Sequence, residues 1–187
     1  MRISRLLVFA ALVGAFCLAA TASASAATAT CTGATGKIKL SPGLTETAAV
    51  QNIQVKGELT GCSGTEAKET YKFQIHAKTA EAVTCSALTS GALSGEESTI
   101  MIKAAGEGNS SGSVSFQLIE GAGSFSSGPL SGGAFEGGTA SGSLTQSYTG
   151  GANCGKPIIT EKNGKVHEKP AKKVSKGTVT GGSATIS

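Results

Sequence analysis

Val50–Cys62 reads VQNIQVKGELTGC, and its alternation decides the fold class. Ile53, Val55 and Leu59 share one parity, with polar residues between them. A period of two is the mark of a strand with one dry and one wet face. The same pattern recurs outward along the chain. Thr70–Lys78 places Tyr71, Phe73, Ile75 and Ala77 on one face and Lys72, Gln74, His76 and Lys78 on the other. Gly36–Leu40, Ser98–Ala105, Ser113–Glu120 and Gly177–Ile186 add four more strands. Residues 80–90 have room for one helical turn. Dry faces must be buried against each other or within a closed sheet. The expectation is an all-β, antiparallel sandwich of Greek-key, immunoglobulin-like type, with a barrel as the alternative.

The first 26 residues have the anatomy of a secretory signal: Arg2 and Arg5, an apolar run Leu6–Ala20, then small residues ending in Ala22-Ser23-Ala24 and Ala24-Ser25-Ala26. The apolar run is too short for a comfortable membrane span. A single domain is expected over 27–187, exported and free of transmembrane segments.

Composition narrows the chemistry. Of 16 basic residues two are the leader arginines, so the exported chain holds 14 lysines against 12 glutamates and no aspartate. Aspartate-rich calcium loops and Ser-His-Asp triads therefore cannot be built. Without arginine there is no bidentate fork for phosphate. Few aromatic residues and no arginine argue against nucleic-acid binding. No cofactor or metal motif is present. His76, between lysines on a wet face, and His167 read as solvated surface histidines. Glu96, Glu97 and Glu107 lie in turn-like regions without a set carboxylate separation.

Cys31, Cys62, Cys85 and Cys154 remain after the leader, an even count that favours disulfides outside the cell. Folding 36–40 back on 50–60 with partner numbers summing to 93 sets Ile38 against Val55 and Leu40 against Ile53. The same register sets Cys31 opposite Cys62, leaving Cys85–Cys154 as the second bridge. The cysteines then have the wrong parity for the dry face unless a glycine such as Gly33, Gly36, Gly57 or Gly61 supplies a bulge.

Two segments stand apart. Residues 121–143 are rich in glycine and serine, yet carry Phe125 and Phe135 about Gly128-Pro129-Leu130; they read as a hairpin anchored by two rings, or as a linker. Residues 156–176 hold seven lysines and two glutamates, with an Asn163-Gly164 hairpin signal and Pro170 ending the second arm. Lys162, Lys165, Lys169, Lys172, Lys173 and Lys176 are the candidate contacts to an anionic surface. A pentapeptide Gly-x-apolar-Ser/Thr-Gly also recurs, and its copies KGELTG and KGTVTG are candidate equivalent strands.

The runs KIKLSPGLTETAAVQNIQVKGELTGCSGT and EAVTCSAL resemble uncharacterised secreted β-proteins of actinobacteria. The resemblance implies export and a β-rich fold, and brings no activity, cofactor or site. The expected function is that of a secreted, non-catalytic structural or binding protein of the cell envelope or extracellular space. Its partner would be an anionic envelope polymer or another secreted protein. The alternative is a secreted hydrolase using His76 and a glutamate.

Overall fold

The computed structural model describes residues 27–187 apart from Glu66, Ala92 and Pro170, and excepting the side chains of Glu96, Glu97, Ile158 and Lys162. The leader with its cleavage sites and the role given to Pro170 lie outside these residues, as do the side chains of Glu96 and Glu97.

The chain is nearly all antiparallel β. Four strands come first: β1 (Ala29–Leu44), β2 (Asn52–Ser63), β3 (Thr70–Thr79) and β4 (Leu93–Lys103). Then follow β5 (Asn109–Ile119), β6 (Ala122–Ser127), β7 (Ala140–Tyr148), β8 (Ile158–Lys162), β9 (Lys165–Lys169) and β10 (Val174–Ile186). Eight strands close into one ring in the order β1-β10-β7-β6-β5-β4-β3-β2, while β8 and β9 pair only with each other. The dry faces meet across the inside of the ring, as a two-layer fold requires, and closure leaves no unpaired edge in it. The connectivity differs from the Greek-key, immunoglobulin-like order expected. Strands adjacent in sequence are adjacent in space, with β10 closing the ring between β7 and β1. Each link joins neighbours in the ring, so no crossover is needed; the longest, 149–173 between β7 and β10, carries β8 and β9.

Along each strand burial follows the alternation. In β3 the odd positions from Tyr71 to Thr79 are buried, while of the even positions Gln74 alone is partly covered. Both ends of the ring are plugged. At one, the loop after β6 buries Leu130 and Phe135. Phe135 meets Tyr71 edge to face, with centroids 5.3 Å apart, and its N–H donates to Ser110 Oγ at 3.1 Å. Thus 121–143 is ordered: β6 and β7 are paired arms, and Phe125 and Phe135 are anchors. At the other end, the short helix α1 (Ala87–Ser90) buries Ala87 and Leu88 beside the Cys85–Cys154 bridge.

The register of β1 on β2 is the expected one: Ile38 opposes Val55, Leu40 opposes Ile53, and Cys31 opposes Cys62, to which it is bonded. The parity conflict is resolved inside the strands. Burial switches from odd to even positions between Cys31 and Ala34, and from odd to even between Leu59 and Cys62. Gly61 takes a φ of +61°, open to glycine at little cost, and both strands reset together so the register survives. In β10 the reset falls at Gly181–Gly182, with a bulge against β7 after Val179.

The pentapeptides have a packing role. Their central residues Leu59, Leu93, Leu130, Ala140 and Val179 are all buried. KGELTG lies in β2 and KGTVTG in β10, flanking β1 on its two sides. Several of their glycines sit under an aromatic ring from the next strand. A β-carbon at Gly57 would lie 2.7 Å from Phe73 Cε1, at Gly142 2.8 Å from Phe125 Cε1, and at Gly177 2.9 Å from Tyr148 Cδ1. The ring covers the side the glycine leaves open, so a sheet rich in glycine still fills its core.

Candidate functional site: a lysine wall

Because the inside of the ring is apolar, charge must stand on its outer face, and it is distributed unevenly there. β5, β6 and β7 carry no charged residue. Their outward rows are hydroxyls and amides: Ser115 opposes Ser126, which opposes Ser141, and Gln117 opposes Ser124, which opposes Ser143. On β1 to β4 the outward positions include lysines. Three pairs of lysines stand directly across from each other: Lys37 and Lys56, Lys39 and Lys176, Lys72 and Lys103.

These pairs join into one oblique stripe. Lys176 opposes Lys39. Lys39 and Lys37 are two apart on β1, and Lys37 opposes Lys56. Lys56 opposes Gln74, so Lys72 is its diagonal neighbour, and Lys72 opposes Lys103. All six lysines are exposed. With strands about 4.8 Å apart and alternate residues about 6.7 Å apart, each ammonium stem starts within one side-chain length of the next. Glu58, opposite Lys72, is the one glutamate set beside the stripe by the register. Among the described residues the only ion pair is Lys68–Glu107 at 3.3 Å, away from the stripe. Like charges directly opposite cost stability, about 0.2–1 kcal/mol for each pair, unless a counter-charge arrives.

The sequence-predicted lysines separate. Lys165 and Lys169 lie on the fully exposed β9, and Lys162 stands across from Lys165 beside the Asn163-Gly164 turn. Lys172 pairs its backbone with Cys154, and Lys173 packs near Gly43. Lys176 alone belongs to the stripe. The basic segment is therefore a hairpin, a junction and the first lysine of the wall, rather than one patch. Its remaining members were found by sequence and the other stripe lysines were missed, although the signal existed: Lys37 and Lys56 also sum to 93.

His76 is on the same wall. The side-chain amides of Gln54 and Gln74 both meet its Nε2, the first at 3.3 Å. An open depression of about 440 Å³ beside it is lined by Lys39, Ser41, Asn52, Gln54, Lys78 and Thr99 among others, and no described carboxylate lines it. Among the described side chains the His76 ring thus has amide neighbours and no carboxylate partner. A second depression, of about 230 Å³, lies between Lys56, Lys72, Gln74, Met101 and Lys103. His167 is exposed on β9 across from Thr160, and Glu107 is held by Lys68. No group of three or more metal-ligating side chains is found among the described residues.

Among the described residues Tyr148, inward on β7, is the one group with a displaced proton affinity. Burial, with the Glu120 carboxylate adding to it, holds its phenol proton well above the usual tyrosine range. Its hydroxyl and Gln146 Oε1 have no hydrogen-bond partner. No helix among the described residues is long and apolar enough to cross a membrane. No protein-family model, curated protein or solved structure matches this chain.

Proposed function

We propose that the protein is exported and acts without catalysis, by holding an anionic component of the cell envelope or its surroundings on the lysine wall. The observation that carries this reading is the stripe of directly opposed lysines, in which Glu58 across from Lys72 is the one carboxylate in register and no ion pair to a stripe lysine is formed among the described residues. A fold that spends stability on like-charge pairs gains it back when an anion neutralises them. Two disulfides, Cys31–Cys62 and Cys85–Cys154, fit an oxidising compartment and support export. The leader implies cleavage that leaves Ser25 or Ala27 first, which N-terminal sequencing of exported protein checks.

The experiment is a pull-down of the disulfide-intact protein on purified envelope polymers at low and high salt. Retention that falls steeply with salt is expected. Retention unchanged by salt, or none on any anionic envelope fraction, contradicts the reading.

A further inference from the structure

The arrangement of the stripe says more than its charge. We propose that it is a track for a linear, phosphate-linked polymer, laid obliquely across β10, β1, β2, β3 and β4; this rests on the binding function proposed above. Three features select the ligand. First, the lysines form a line rather than a ring or a pocket: Lys176, Lys39, Lys37, Lys56, Lys72, Lys103. Five strands at about 4.8 Å give a run of roughly 20 Å, suited to an extended chain bearing regularly spaced charges.

Second, the donors are point charges and hydroxyls. Thr178 stands across from Lys37, and Gln74 across from Lys56. Ammonium groups meet a tetrahedral phosphate as point charges from any direction, so a row of phosphates can be held without the bidentate fork that arginine gives to phosphate and carboxylate alike and that the described chain lacks. Third, every phenylalanine and tyrosine ring among the described residues is buried, and the His76 imidazole is the one exposed ring on this wall. The stripe itself offers no phenylalanine or tyrosine platform on which a base or sugar ring could stack, so the backbone phosphates of the ligand are what it can read. Met101, 41% exposed between Lys72, Lys103 and Gln74, is the one large apolar side chain on this part of the wall.

The test uses the full exported chain and three probes: long-chain inorganic polyphosphate, polygalacturonate as a carboxylate polymer, and phosphatidylglycerol vesicles. Polyphosphate is expected to bind most tightly, with a slope of log affinity against log salt on the order of −2 to −4 for three to six phosphates neutralised. The variant K39Q/K56Q/K72Q is expected to lose at least about tenfold in affinity and about two units of that slope. The hairpin variant K162Q/K165Q/K169Q is expected to lose less than about threefold. The wall substitutions are exposed, and equal or higher melting temperatures of the wall variant show that it folds. Preference for vesicles or for polygalacturonate, with the wall variant still impaired, overturns the phosphate-linked polymer and leaves the anion-binding function standing. Equal loss in the two variants overturns the track. Failure of all three probes to bind sinks both proposals.

Discussion

The ring has two walls made by one rule and finished differently. On β1 to β4, with Lys176 of β10, the outward positions include lysines set against lysines. On β5 to β7 they are serines, with threonine and glutamine. Inside, the walls are alike: both put a glycine beneath an aromatic ring, Gly57 under Phe73 on one and Gly142 under Phe125 on the other. What holds the molecule together is therefore symmetric between them, and what it presents to its surroundings is not. Neutral hydroxyl rows cost little and satisfy one another, as Ser143 and Ser183 do at 3.2 Å. Opposed lysines gain nothing from each other. Such a wall makes physical sense when something outside completes it.

The comparison can be broken most forcefully at the staple between β1 and β2. Replacing Cys31 and Cys62 together by serine opens a bridge with a sequence separation of 31 residues inside the lysine wall. Denaturant unfolding is expected to show a loss of about 3–4 kcal/mol by the chain-entropy model. A loss under about 1 kcal/mol would mean that the strands hold their register without the bridge.

Next come the glycines under rings. Gly57→Ala and Gly142→Ala should each cost about 1–3 kcal/mol through overpacking, and should cost the same within error, because the interior does not distinguish the walls. A large cost at one and none at the other would show that the two walls pack by different rules.

The serine-bearing side holds the unpartnered phenol of Tyr148, whereas Tyr71 on β3 accepts from the Lys68 N–H at 2.7 Å, which sharpens the contrast. Tyr148 ionises near its ordinary value only when unfolded, because burial raises its folded value. Stability from the neutral phenol is complete below about pH 10 and drains away as pH rises further, through the folded value. Tyr148→Phe should remove this alkaline loss and, by deleting an unpartnered hydroxyl, leave stability at neutral pH unchanged or higher by up to about 1 kcal/mol. Thermal melts from pH 7 to 11 check both.

The smallest effect is the charge itself. Lys56→Gln relieves the opposition to Lys37 and is expected to add about 0.2–0.5 kcal/mol at low salt, fading as salt screens the wall. Ser143→Ala on the other wall should show no salt dependence.

How much of this was legible follows the range of each signal. Strand alternation is local, so Thr70–Lys78 could be read almost to the residue. The pairing sum joined two neighbouring strands and recovered the bridge between Cys31 and Cys62, because inward residues on both arms had to meet. β7 was hidden. Its sequence ASGSLTQSY offers small and polar residues, and its fitness as a strand depends on rings contributed by neighbours. The stripe was hidden for the same reason. Lysines adjacent in space come from five strands, while the eye falls on the run at 156–176, which the fold disperses. Closure of the ring, too, is a property of β1 meeting β10, the two most distant strands in the chain.

The most direct measurement is a backbone amide NMR titration of the labelled, disulfide-intact protein with polyphosphate. Shift changes are expected along β10, β1, β2, β3 and β4, centred on Lys39, Lys56 and Lys72, with β5 to β7 silent. Changes confined to residues 158–169, or spread over the serine rows, would contradict the account.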